Sequence, residues 1–253
     1  MGDKSAIEWT DATWNPTTGC DRVSPGCDHC YALNLAKRLK AMGQPKYQLD
    51  GDPRTSGPGF GLQIHPDALD IPRGWATPRR VFVDSMSDLF HPAVPEEFIS
   101  DVFEVMADTA RHTYQLLTKR PQRAAALAAK LPWSQNVWLG TSVESDDYVW
   151  RGERLAAIPA AVRFVSCEPL LGPLPSLELD DIDWIIVGGE SGAGSRPMDP
   201  SWVRDLRDRS EAAGVAFFFK QWGGRTPKSG GRALDGRTWD EMPSAKRRAT
   251  ANL

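Results

Sequence analysis

The sequence predicts an α/β protein: a complete or partial (β/α) barrel of parallel strands with a small C-terminal β-hairpin extension. Three observations carry this. Seven short apolar segments recur, and most are separated by stretches with helical spacing. Most of the segments are short and largely apolar rather than alternating, as in a parallel sheet buried on both faces. Each runs directly into polar or charged residues, as strands do where their C-terminal ends carry the chemistry of a barrel. An open doubly wound sheet is the alternative with the same element order.

Alternation of apolar and polar residues over Ile7–Trp14 predicts the first strand, ending at Asn15-Pro16. A cysteine-rich loop follows, then a helix over Tyr31–Met42 that Gly43 stops. Residues 44–77 are rich in Gly, Pro and Asp and weakly periodic. They read as a long surface excursion, a candidate lid. Further strands are expected at 80–84, 113–118, 137–142, 162–166, 184–187 and 215–219. Helices are expected at 95–111, 122–130, 146–157 and 200–213. The stretch 170–182 is too rich in proline for a full helix, so one helical layer should be degraded there. Asp235-Gly236 marks a type I′ hairpin turn within 232–239, and residues 244–253 should fray. The expected division is a barrel domain over 1–226 and a hairpin and tail over 227–253.

The chain has 253 residues, 41% hydrophobic and 25% charged, which suits one ordinary globular domain. A net charge of -3 gives no bulk signature of nucleic-acid binding, though a local basic groove is compatible with it. No apolar run approaches the roughly 18 residues of a membrane span, so no membrane partner is expected. The opening residues lack an apolar core, so the expectation is no signal peptide and a cytoplasmic location.

Three of the four cysteines, Cys20, Cys27 and Cys30, fall within eleven residues as C-x6-C-x2-C. In a reducing compartment such a cluster binds metal more often than it forms disulfides. A disulfide would leave one thiol over. Structural zinc wants four ligands. A cubane cluster with three thiolates leaves one iron open for chemistry. A zinc or iron–sulfur protein without catalysis stays open at this point. So does a nucleic-acid-binding module using Lys119, Arg120, Lys220 and Trp222.

Asn15-Pro16-x-x-Gly19-Cys20 followed by Gly26-Cys27-x-x-Cys30-Tyr31-Ala32 resembles the cluster loop of radical S-adenosylmethionine enzymes, especially the spore photoproduct lyase branch. The usual spacing there is C-x3-C-x2-C, so this chain carries three extra residues before Cys27. Over its length the chain also resembles a phage- and prophage-encoded family of unknown function. The shared stretches include Asp84–His91, Leu117–Pro121, Cys167–Leu170, Gly188–Gly192 and Lys220–Gly223. The first resemblance implies a 4Fe-4S cluster on Cys20, Cys27 and Cys30, with S-adenosylmethionine chelated at the open iron. It implies reductive cleavage of that cofactor, an electron donor, and hydrogen abstraction from a substrate such as a nucleotide or nucleic-acid base.

The strand ends supply the remaining candidates. Asp84, Ser85, Thr118, Ser142, Glu168, Gly188 and Gly189 are expected at the cofactor, and Cys167, Glu190 and Lys220 at the reaction. In the radical enzymes Gly-Gly-Glu follows the second strand and meets the methionine amino group. Here Gly188-Gly189-Glu190 follows the sixth, so Asp84 or Ser85 takes that position and Glu190 is assigned to ribose or substrate. Cys167 reads as a hydrogen-atom donor or as a small buried residue.

Overall fold

In a computed structural model that describes residue 5 and residues 7–226 and 229–243, the chain forms a curled half-barrel. Its elements in order are β1 (Ala12–Trp14), β2 (Thr17–Thr18), α1 (Tyr31–Ala41), β3 (Gln63–Ile64), β4 (Arg80–Val83), α2 (Glu96–Asp108) and β5 (Thr113–Thr118). Then come α3 (Pro121–Leu127), β6 (Val137–Ser142), α4 (Trp150–Ala156), β7 (Val162–Cys167), β8 (Trp184–Gly188), α5 (Pro200–Ala213) and β9 (Ala216–Gln221). Seven strands are parallel in the order β1-β4-β5-β6-β7-β8-β9, and β2 and β3 form a separate antiparallel pair.

Side-chain alternation sends two different cores to the two faces. Val81, Val83, Leu116, Leu139, Val165, Ile185, Val187, Phe217 and Phe219 point outward to α2–α5 and form the main core with them. Phe82, Trp138, Phe164, Trp184, Ile186 and Phe218 point inward and, with Trp9, plug the base of the concave face. Gly140 makes room for this plug: a Cβ there would lie 2.2 Å from the Phe164 ring. α2–α5 all pack on the convex side and α1 joins a separate small core with Phe60 and Met86, which settles the half-barrel against a doubly wound sheet.

Several boundaries differ from the sequence expectation for physical reasons. β1 begins only at Ala12. Trp9 leaves the strand line to pack in the plug, 4.9 Å from Phe82 and 6.1 Å from Trp184 by ring centroids. Helix 146–157 splits into a 3-10 turn and α4. Residues 168–183 form no helix, and Leu170, Leu174, Leu177 and Ile182 fill the missing layer. The 44–77 excursion holds β3 and three 3-10 turns and is packed down. Trp14 Nε1 donates to the Ala68 carbonyl at 2.8 Å, and Trp75 joins the main core.

At the other end, Asp235 (φ 52°) and Gly236 (φ 81°) make the expected tight turn, closed by a single Leu234–Arg237 bridge rather than by full strands. The chain then runs antiparallel along the free edge of β9. Phe219 N donates to Trp239 O at 2.9 Å, and Glu241 N to Phe217 O at 3.2 Å. Leu234 and Trp239 are buried in the main core. The expected frayed segment 244–253 lies outside the described residues.

Candidate functional site

The cysteine loop leaves β1 over the mouth of the half-barrel and is fastened at its root. Asp84, at the end of β4, sits in the left-handed region (φ 56°) and gives both carboxylate oxygens to Thr17, accepting from N at 3.0 Å and from Oγ1 at 2.9 Å. Burial pushes this carboxyl up to about 8, against the pull of the Thr17 bonds and with a further push from Asp88. Asn15 Oδ1 accepts from Ser85 Oγ (3.2 Å) and Met86 N (3.1 Å). Gly19 (φ 86°) is pressed against the Gly61 carbonyl, where a Cβ would lie 2.2 Å away, so only glycine fits.

Cys20 is held from the β4 and β5 ends. Arg120 Nη1 lies 3.4 Å from Cys20 Sγ and 2.8 Å from Asp88 Oδ2, while Nη2 donates to Asp21 O at 3.1 Å. Asp88 is itself saturated, accepting from Phe90 N (3.0 Å), Thr118 Oγ1 (2.7 Å) and Lys119 N (3.1 Å). Burial, with the Asp88 charge, pushes the Cys20 thiol up to about 12, and the Arg120 guanidinium opposes both. On the other side Asp21 pairs with His91 Nε2 (2.8 Å) and Thr55 Oγ1 (2.6 Å). His91 Nδ1 accepts from Ala93 N at 3.2 Å, which leaves Nε2 as the protonated nitrogen facing Asp21.

The second half of the loop is clamped from strands on the far side. Gly26 N donates to Glu144 Oε1 (3.3 Å), and Glu144 is fully buried with Arg151 (2.9 Å) just after β6. His29 Nδ1 meets Glu190 Oε2 at 2.8 Å. Arg196 binds Glu190 through its backbone N (2.9 Å), Nε (3.0 Å) and a close Nη2 contact, and also reaches Pro25 O (2.9 Å). Burial alone would raise the Glu190 carboxyl. The Arg196 and His29 bonds overrule it and hold it at about 2.

Beyond the loop, Glu168 Oε2 and Lys220 Nζ form a 2.6 Å ion pair at the ends of β7 and β9, both partly exposed. Ser166 Oγ donates to Glu168 Oε1 at 3.3 Å. Tyr31 is 57% exposed, and its hydroxyl donates to Ser85 O at 2.5 Å. A satellite core of Ala32, Ala36, Phe60 and Met86 underlies the loop, with Cys20, Cys30 and Tyr47 packed against it.

All four cysteines are free thiols, and Cys20, Cys27 and Cys30 are partly exposed. Cys27 lies close enough to Cys20 for its charge to act on the Cys20 thiol. Among the described residues no three His, Cys, Asp or Glu side chains converge as a single metal ion requires. A four-iron cluster takes each thiolate on a separate iron and needs no such convergence. Three free thiols on one anchored loop fit that group.

A family model described as "Protein of unknown function (DUF5131)" matches residues 4–243. The chain belongs to that family. No curated protein matches it. Among solved structures it is similar to a double mutant of spore photoproduct lyase with bound AdoMet and dinucleoside spore photoproduct. That match has 12% identity and a TM-score of 0.44, over 79% of this chain and 60% of the other. It is also similar to the lyase complexed with dinucleoside spore photoproduct, at 11% identity and a TM-score of 0.41, over 77% of this chain and 59% of the other. The chain thus spans about 60% of the length of the lyase chains it matches.

In this family member the sequence-derived candidates separate into groups. Ser85, Glu168, Glu190 and Lys220 lie at the ends of β4, β7, β8 and β9, while Ser142, the last residue of β6, is buried. Thr118 is buried and committed to Asp88. Asp84 is committed to Thr17. Cys167 is fully buried among the convex-side core residues, where burial pushes its thiol up. Gly188 lies under the Glu168 carboxylate, and Gly189 meets the backbone of Trp222, where a Cβ would be 2.1 Å from the carbonyl oxygen. Trp222 packs edge-on to Phe219 and donates to Ala233 O at 2.8 Å. Arg196 and Tyr47 are the contributors sequence reasoning missed. Arg120 and Glu144, each shortly after a strand, carried that local signal, but sequence reasoning assigned Arg120 to a ligand and gave Glu144 no role.

Proposed function

We propose that this chain is an iron–sulfur radical S-adenosylmethionine-type enzyme that abstracts hydrogen from a nucleotide or nucleic-acid base, reduced by a separate electron donor. The observation that supports this most is the placement of Cys20, Cys27 and Cys30. The loop bearing them lies over the polar mouth of a half-barrel whose base is closed by aromatic rings. A bound 4Fe-4S cluster with S-adenosylmethionine supplies one-electron cleavage of the sulfonium and a carbon radical that abstracts hydrogen. The chain's own residues do the rest. Arg120, Glu144 and Glu190 fix the loop, while Glu168 and Lys220 present opposite charges to polar groups of cofactor or substrate. The aromatic plug excludes water from below.

The test is anaerobic reconstitution with iron and sulfide, followed by metal analysis and EPR of the reduced protein with and without S-adenosylmethionine. The expected result is a cluster lost in C20A, C27A and C30A, with a spectrum that changes on adding the cofactor. Zinc uptake alone, or a cluster indifferent to the cofactor, overturns the reading.

A further inference from the structure

The guanidinium of Arg120 lies in contact with the Cys20 thiol. It is rigidly held, about nine-tenths buried, by Asp88 (2.8 Å) and the Asp21 carbonyl (3.1 Å). Asp88 is in turn fixed by three donors from the ends of β4 and β5. This is more support than a phosphate-binding side chain needs, and it leaves Arg120 little freedom to reach a substrate. One N–H of Nη1 points at Cys20 Sγ, 3.4 Å away, within the distance at which sulfur accepts a hydrogen bond. Cys27 and Cys30 have no such donor among the described side chains.

We propose that Arg120 is a positioning residue that donates a hydrogen bond to the Cys20 thiolate and raises the reduction potential of the cluster. This rests on the cluster reading above. A cluster that gains one electron from its donor gains one negative charge, spread over iron, sulfide and thiolate. An N–H donor aimed at a thiolate sulfur stabilises that more negative state and so favours reduction. Asp88 offsets the net charge of the guanidinium, so the pair sits buried as a neutral unit and the directed hydrogen bond is its specific contribution. The two partners therefore act on the cluster with opposite sign.

That opposition is the test. Wild-type protein, R120M, D88N and R120M/D88N are reconstituted anaerobically. Iron and sulfide per chain, the rate of iron loss to a chelator, and the midpoint potential by EPR-monitored titration with dithionite are measured. Asp88 keeps three donors in R120M, and the double variant leaves no charge unpaired, so at least one donor-free protein folds; thermal melts verify this. The expected result is a lower potential and several-fold faster iron loss in R120M and in the double variant, and a higher potential in D88N. Unchanged potentials, or a shift of the same sign in R120M and D88N, overturn the proposal while leaving the cluster reading intact. Wild-type protein that takes up no iron and sulfide overturns both.

Discussion

Glu190 and Asp84 are both buried carboxyls at the barrel mouth, yet their surroundings drive them in opposite directions. Glu190 faces a guanidinium and an imidazole and is held at about 2 against an ordinary 4.5. Its stabilising contribution is present above 4.5 and lost as pH falls through 2. Asp84 faces only the amide and hydroxyl of Thr17, and burial raises it from 3.8 to about 8. It favours the fold while protonated, so its contribution is full below 3.8 and lost as pH rises through 8. Melting temperature against pH separates the two. E190Q should flatten the acid limb below 4.5, and D84N should remove the slope between 3.8 and 8. Asparagine also tolerates the left-handed backbone at position 84. Identical pH profiles for wild type and D84N would mean that Asp84 is solvated and its role at Thr17 slight.

At the scale of elements, the cysteine loop behaves as a strap, anchored by β4 and β5 at Cys20 and by β6 and β8 further on. Glu144 is the deepest of these anchors, because its Arg151 partner is equally buried. E144Q leaves a buried guanidinium uncompensated, which costs about 3–5 kcal/mol. It should also raise amide exchange over residues 24–29 while exchange at Cys20 stays near wild type. Exchange that rises evenly along the loop would show one cooperative unit instead. The strands of this scaffold were legible in the sequence, and β5 and β6 match the expectation residue for residue. Both are short runs rich in aromatic, aliphatic and β-branched residues, bounded by abrupt polar turns. β1 was overread because Trp9 continues the alternation while packing in the plug. The thiol loop was legible as well. Its anchors were not: Gly26 and Glu144 lie 118 residues apart, and His29 and Glu190 lie 161 apart. No local pattern announces a contact that only the topology creates.

Taken whole, the half-barrel has two edge strands, β1 and β9, and the tail covers the second. An uncovered parallel edge invites pairing with another chain. Removing residues 233–253 takes Leu234 and Trp239 from the core and strips two backbone hydrogen bonds from β9. The truncated protein should melt lower and elute as higher oligomers in size-exclusion chromatography. A monomer with wild-type stability would make the tail dispensable. The strand order has a further consequence, for biosynthesis. Every strand of the large sheet pairs with its predecessor in that sheet, so the barrel can grow vectorially as the chain leaves the ribosome, each new strand docking on one already in place. At each stage the newest strand is the exposed edge. The residues that cover the last edge are made after β9 itself, so a nascent chain stalled before Leu234 carries an open β9 until synthesis resumes.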